Sequence, residues 1–200
     1  MKQDISFSSL KKQEKQARRD IIISAAERVF ANKPFIEVTI RDIAKEAGIS
    51  HASIYRYFSD QQTLFVEAFL KGADHIIQFL EKLINAEKTV SIEKVTDEFI
   101  SYLIENDQYF RMMTHFMLDG SLSPQLVERL NVAERLLLNQ IDNLFIRMKS
   151  EGNIRMLSHA YFAAMNGVLI TFRNYPGRSK EEVTNHMKKL GKIIALKFKN

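Results

Sequence analysis

The sequence predicts an all-α fold, and three observations carry that prediction. Only 7 Gly and 3 Pro occur among 200 residues, so few positions interrupt a helix. Apolar residues recur at i, i+3, i+4 and i+7 through most of the chain, the spacing of one buried helical face. No internal repeat, low-complexity tract or alternating apolar/polar segment of strand type interrupts that pattern.

The elements follow in order. Residues 1–10 lack the pattern and are expected to be poorly held. A helix is expected from about Lys11, with Ile22, Ala25, Ala26, Val29 and Phe30 as its buried stripe. It ends near Asn32, because Pro34 disfavours helix in the residue before it. Residues 39–58, TIRDIAKEAGISHASIYRYF, then predict two short helices around a tight turn. Thr39 and Asp42 read as a capping box, in which each side chain satisfies a free donor at the helix start. Ile40, Ile43, Ala44 and Ala47 make the apolar face, and Gly48 stops the helix in the left-handed conformation. Ser50 caps the second helix; Ile54 and Phe58 point inward, leaving His51, Ser53, Tyr55, Arg56 and Tyr57 outside. Ser59 or Asp60 opens a fourth helix carrying Leu64, Phe65, Ala68 and Phe69.

Beyond it, helical periods run through about 73–85, 90–105 and 108–118, and Gly120, Ser121 and Pro124 mark a loop. Further helices are expected over about 124–150, 155–174 and 179–198, with Gly152 and Tyr175-Pro176-Gly177 between them. The expected division is a first domain over 1–70 and a second, richer in Phe and Met, over 71–200.

Composition bounds the function. The charged fraction is 26% and the hydrophobic fraction 46%, ordinary for a globular protein. A net charge of +5 is compatible with a polyanionic partner. With no cysteine, thiolate metal sites, disulfides and cysteine nucleophiles are excluded. The N-terminus has no apolar core of the secretory type, and the longest nearly apolar run, Ala160 to Phe172, is too short to span a bilayer and contains Asn166. A cytoplasmic location without membrane attachment is the expectation.

An outward face of two tyrosines, an arginine and a histidine suits a helix lying in a DNA groove. In a helix-turn-helix the second helix enters the major groove while the first crosses the backbone. His51, Ala52 and Ser53 are then placed for base edges, with the Ala52 methyl suited to a thymine methyl and His51 able to reach either a base or a phosphate. Tyr55, Arg56 and Tyr57 suit phosphates, which set register without reading sequence, although one of the two tyrosines could instead pack against the first helix; Ser50 is a further DNA-binding candidate. Thr39 and Arg41 stand at the start of the preceding helix, where backbone contact is also available, although a solvated face explains Arg41 as well. The run Lys11, Lys12, Lys15, Arg18, Arg19 fits either phosphate contact or a solvated helix start.

The segment Arg19–Phe69 resembles the N-terminal domain of the tetracycline-repressor (TetR) family of bacterial transcription regulators. The residues that carry the likeness are Ala-Ala-x-x-x-Phe at 25–30, Thr-Ile-x-Asp-Ile-Ala at 39–44, Ala-Gly-Ile-Ser at 47–50 and Tyr-x-Tyr-Phe at 55–58. Two departures stand out: Ala52 where the family commonly has glycine, and Gln61 where it commonly has a lysine on a phosphate. Gln61 keeps only a neutral hydrogen bond for that contact.

The resemblance implies that the second domain dimerises and encloses a small-molecule pocket. It further implies that ligand binding repositions the two heads; two-fold symmetry then predicts a palindromic operator, and the Phe- and Met-rich lining candidates suggest a small apolar or amphipathic effector that releases a repressor. Read on their own, Ala160, Ala164, Gly167 and Thr171 form a small-residue stripe on one C-terminal helix. Val183, Met187, Leu190, Ile194 and Phe198 form a heptad-like seam on the other. Both fit a homodimer through the two C-terminal helices, and both fit each subunit's own core. Phe79, Phe99, Tyr102, Phe110, Met113, Phe116, Met117, Phe162 and Met165 are the pocket candidates, with Asn166 as a polar contact and His115 as either contact or structural residue.

Two rivals belong to other classes. An enzyme finds no support: no phosphate-cradling glycine loop, nucleophile motif or metal-spaced histidine set is present, and no cofactor is expected. A nonspecific DNA-packaging protein would not require so large a Phe/Met-rich second domain. The expected partners are a double-stranded DNA operator, a second copy of the chain and an unidentified effector.

Overall fold

The structure is a computed structural model that describes residues 7–86, 90–118 and 122–199. Among these residues there are nine α-helices and no strand. They are α1 (Phe7–Asn32), α2 (Ile40–Glu46), α3 (His51–Ile54), α4 (Gln61–Asn85), α5 (Ile92–Glu105), α6 (Asp107–Leu118), α7 (Pro124–Arg147), α8 (Ile154–Phe172) and α9 (Lys180–Lys197). No helix among the described residues is long and apolar enough to cross a membrane.

The all-α expectation holds, with differences at the boundaries. Helix α1 begins at Phe7 rather than near Lys11, so four residues expected to be loosely held are helical; Met1–Ser6, the rest of that stretch, lie outside the described residues, as do Gly120 and Ser121. The two periods read over 64–69 and 73–85 are one continuous helix, α4. Between Pro34 and Val38 the chain makes a single 3₁₀ turn, Phe35–Glu37, that periodicity does not announce.

Contacts divide the chain into two compact units, one taking residues up to Lys71 and Gln108–Val127, the other Gly72–Asp107 and Glu128 onward. The first unit is built on Ile22, Ile23, Ala25, Ala26 and Phe30 of α1, all buried. Against them stand Ile40, Ile43 and Ala44 of α2, Ile54, Phe58, and Leu64 to Val66 of α4, also buried. Phe35 of the 3₁₀ turn supplies an aromatic centre. Its ring lies 5.2 Å from both Phe30 and Phe65, 5.6 Å from Phe116 and 4.4 Å from His115. His115 is thereby a packing residue of the first unit.

One polar cluster crosses that unit. Glu27 on α1 accepts from the Tyr109 hydroxyl at 2.7 Å with one oxygen and from Lys71 Nζ at 2.8 Å with the other. Lys71 also donates to Ser24 Oγ at 2.9 Å. Both carboxylate oxygens are satisfied, which is what keeps a largely buried charge tolerable.

In the second unit α9 packs on α5 and α8. Thr96 donates to the Ile92 carbonyl, so its oxygen is left to accept from the buried Tyr161 hydroxyl at 2.6 Å. Burial pushes the Tyr161 phenol up to about 12. Gly191 marks the closest approach of α9 to α5: a Cβ there would stand 2.4 Å from Ile100 Cδ1 and 3.0 Å from Thr96 Cγ2. Ile100 is fully buried, so its terminal methyl has no room to retreat. Gly191→Ala should therefore destabilise the chain by about 1–3 kcal/mol in spite of alanine's better helix propensity. Ile100→Val deletes the opposing methyl; combined with Gly191→Ala it should recover at least half of that loss in denaturant unfolding, and strict additivity would refute the contact.

Candidate nucleic-acid interface

The turn between α2 and α3 is built as the sequence reading requires. Thr39 Oγ1 accepts from the Asp42 amide at 3.2 Å, and the Asp42 Oδ2 accepts from the Thr39 amide at 2.9 Å. That oxygen also takes the Thr39 hydroxyl at 2.7 Å and Lys33 Nζ at 2.8 Å. The Lys33 ammonium, then the Thr39 hydroxyl and amide, hold the Asp42 carboxyl down at about 2. Gly48 has φ +67°, the left-handed region glycine enters without a Cβ penalty. Ser50 Oγ accepts from the Ser53 amide at 3.2 Å and caps α3.

Helix α3 differs from expectation in length. Its α-helical part is the single turn His51–Ile54, and the chain then continues through looser turns, with Arg56 N on the Ser53 carbonyl and Tyr57 N on that of Ile54. Ile54 and Phe58 are buried as predicted. Arg19 holds the far end. Its Nη1 donates to the Tyr57 carbonyl at 2.6 Å, its Nη2 to Glu67 at 2.9 Å, and its guanidinium lies 4.5 Å over the Phe58 ring. Read from sequence as one of a solvent-facing basic run, Arg19 is instead a partly buried strut. The signal was available: Arg19, Ile23, Ala26 and Phe30 lie on one helical row, and the other three are buried.

The outer face carries the residues singled out for DNA. Thr39, Arg41, Ser50, His51, Ala52, Tyr55, Arg56 and Gln61 are exposed; Ser53 and Tyr57 are half-buried. Arg41 and Arg56 make no ion pair among the described residues. The His51 ring packs edge-on to Tyr55 at 5.2 Å, and Ser53 Oγ is 2.7 Å from Ser50 Oγ. Asp60 rather than Ser59 caps α4, accepting from the Thr63 amide at 2.7 Å, which lowers its own pKa. Gln61 turns one amide hydrogen toward the Val38 carbonyl at 3.4 Å, a longer contact than the others.

The pocket candidates are divided between the units. Phe110, Met113, Phe116 and Met117 fall in the first, where Phe110 and Phe116 are buried and Met117 is exposed. Phe79, Phe99, Tyr102, Phe162, Met165 and Asn166 fall in the second; Phe79 and Tyr102 stack at 4.5 Å. Asn166 donates to the Phe162 carbonyl at 3.0 Å, and its own buried side-chain oxygen has no partner among the described residues.

A capped helix–turn–helix with an exposed basic and aromatic face is the arrangement by which such motifs meet DNA. Residues 22–68 match the model of the bacterial regulatory proteins of the tetR family. An uncharacterized helix-turn-helix transcriptional regulator of Haemophilus influenzae is 30% identical over 104 residues, half of each chain, so the chain spans about half the length of that curated relative. The fatty acid metabolism regulator protein of Bacillus subtilis is 26% identical over 136 residues, 67% of this chain and 69% of that protein. The crystal structure of the transcriptional regulator FadR from Bacillus subtilis in complex with stearoyl-CoA superposes with a TM-score of 0.66 at 18% identity, covering 86% of this chain and 96% of that one. Residues 22–68 are thus similar to the bacterial regulatory proteins of the tetR family, and the fold of the described residues is similar to that of solved regulators.

The Asp42 shift has a pH consequence. Its folded pKa of about 2 lies below the unfolded carboxylate value of about 3.9, so its stabilisation is complete above about pH 4 and is lost as pH falls through 2. Amide exchange along α2, corrected for intrinsic rates, should accelerate between pH 4 and 2. In Asp42→Asn the acceleration over that interval should be smaller, from a less protected starting point.

Proposed function

We propose that the chain is a sequence-specific, ligand-responsive regulator, a repressor that binds a palindromic operator as a homodimer. The observation that carries the reading is the outer face of the α2–α3 turn, where His51, Ala52, Tyr55 and Arg56 project beside Thr39 and Arg41 with both helix starts capped. His51 and Ala52 are assigned to base edges; Thr39, Arg41, Ser50, Tyr55, Arg56, Tyr57 and Gln61 to the phosphate backbone. Ser53 is the remaining base-reading residue, its hydroxyl shared with Ser50.

Selection of bound duplexes from a random pool tests this directly. A half-site repeated about a two-fold axis, with centres about 34 Å apart or a multiple of it, is the expected result. Arg56→Gln should weaken binding to all sequences and lower the slope of log affinity against log salt by about 0.9 for each phosphate that is no longer neutralised. Ala52→Gly should change the preferred bases and leave that slope alone. Enrichment of no sequence over the pool would reject sequence-specific recognition.

The dimer face is argued from α8. Between Arg155 and Arg173 this helix has no Asp, Glu, Lys or Arg, and an apolar helix without a charged face is a buried one. Its inward side holds Tyr161, Phe162, Met165 and Leu169; Met156, Ala160, Ala163, Gly167 and Ile170 are exposed in the single chain. On α9 the face available to a partner is Ile193 and Leu196. The seam read from sequence turns the other way: Val183 and Met187 are buried in their own unit, and Phe198 packs on Phe145 and Tyr161. A Cβ on Gly167 meets nothing within 4 Å, so Gly167→Arg leaves the single chain intact. Sedimentation should find the parent chain dimeric and Gly167→Arg monomeric; a dimeric variant would move the interface elsewhere.

For the effector, the second-unit residues Phe79, Phe99, Tyr102, Phe162 and Met165 favour an apolar body, and the unpartnered Asn166 oxygen favours a donor on it. The effector this lining suggests is an amphipathic ligand of the long-chain acyl-CoA class, the class held by the Bacillus subtilis FadR structure. Stearoyl-CoA added to the selected duplex and protein should lower affinity roughly 5- to 150-fold, the usual range of allosteric coupling.

A further inference from the structure

The α1 helix runs well ahead of the core it serves. Its first buried residue is Ile22, so the segment from Phe7 to Asp20 stands out from the unit with nearly every side chain exposed. Its basic residues are ordered. Lys11, Lys15 and Arg18 lie on the helical row that continues into Ile22 and Ala25, while Lys12 and Arg19 lie on the adjacent row that continues into Ile23, Ala26 and Phe30. Those buried residues make the side of α1 that packs within the unit. The lysines therefore extend that same side beyond the core; a merely solvated helix start would have its charges distributed around the axis.

The register between this stripe and the α2–α3 turn is fixed. Arg19 closes on the Tyr57 carbonyl at 2.6 Å, tying the base of the segment to the end of the turn that follows α3. Arg18 is paired with Glu14 at 2.7 Å, whereas Lys11, Lys12 and Lys15 have no ion pair among the described residues; Lys11 lies 4.7 Å over the Phe7 ring. From Lys11 to Arg18 the helix rises about 10 Å, the length of about three phosphates along one DNA strand at 3.4 Å each.

We infer that Lys11, Lys12 and Lys15 form a second DNA contact, a rigid basic arm that grips the phosphates flanking the segment read by α3. The inference rests on the DNA-binding reading and extends its footprint by about three base pairs. Charge complementarity and continuity with the α3 face select the occupant. These contacts carry no base information; they raise affinity for every sequence and steepen its salt dependence.

The test uses the full chain, a labelled duplex of roughly 30 base pairs carrying the selected site and one of random sequence, long enough to reach beyond one helical turn on either side. Lys11→Gln/Lys12→Gln/Lys15→Gln should lower the slope of log affinity against log salt by about 2–3 per protomer on both duplexes, from about 0.9 per contact. A control of equal charge loss, Lys180→Gln/Lys189→Gln/Lys192→Gln at exposed positions of the second unit, should leave the slope unchanged. Single lysine variants with about one third of the effect each would confirm the contacts even if the triple variant folded poorly. An unchanged slope, or an equal fall in the control, overturns the arm while leaving the α3 reading intact. A parent chain that binds neither duplex overturns both. Loss of binding to anionic phospholipid vesicles, with the DNA slope unchanged, overturns the arm in favour of a membrane surface.

Discussion

The whole outer face depends on how one turn of helix is held at its two ends. Helix nucleation is unfavourable, because the first hydrogen-bonded turn fixes several dihedrals for a single bond. The four α-helical residues of α3 cannot meet that cost alone. Ser50 secures the start by accepting the Ser53 amide, and Arg19 secures the end by donating to the Tyr57 carbonyl. A carbonyl just past a helix end otherwise turns to water and leaves the turn free to fray. Arg19 does more than fill that valence, because its other nitrogen binds Glu67 on α4 and its plane covers Phe58. The guanidinium's rigid fork makes all three contacts with one conformation, which a lysine cannot reproduce.

This strut explains why the first unit needs the rest of its packing. Arg19 is only as well placed as α1, and α1 is positioned by its buried row on α2 and α4 and by Glu27 below it. Phe35, delivered by a 3₁₀ turn that Pro34 begins, fills the space among Phe30, Phe65 and Phe116. Offset and edge-on aromatic pairs are favourable beyond their buried area, and here they converge on one ring. Tyr109 of α6 then closes the Glu27 pair from the opposite side. Residues far apart in the chain thus share one rigid support beneath the exposed turn.

What the sequence made legible is what short-range chemistry determines. The Thr39–Asp42 box, the Gly48 stop and the Ser50 cap each involve residues within three or four positions, so residue type and spacing suffice. Arg19 and Tyr57 are 38 positions apart, and nothing local distinguishes a strut from a solvated cation except its place on the buried row. The same limit governs α9. Heptad spacing says that Val183, Met187 and Phe198 share an apolar seam, yet periodicity is blind to whether the covering surface belongs to the same chain or to a second copy; the answer came from α5, α8 and the ring of Tyr161. Likewise, Phe110 and Phe116 look like any Phe/Met-rich lining until Phe35 and Phe69 are found against Phe116. The end of α3 escaped because Ile54 and Phe58 keep helical spacing through turns that are no longer α-helical.

The brevity of α3 bears on the proposed assembly. On the proposed assignment, one helical turn offers His51, Ala52 and Ser53 to base edges and little else, and each good base contact contributes only about 1–3 kcal/mol of discrimination. A single head of that size separates few sequences, and much of its affinity must come from phosphates, which every sequence offers equally. Joining two heads rigidly makes the second binding event intramolecular and multiplies discrimination without enlarging either helix. An α8 with no Asp, Glu, Lys or Arg between Arg155 and Arg173, and with Met156, Ala160, Ala163, Gly167 and Ile170 exposed in the single chain, is the face proposed for that joining. On the proposed reading the short α3 and the uncharged α8 face are coupled, since the first gains adequate specificity only if the second finds its copy.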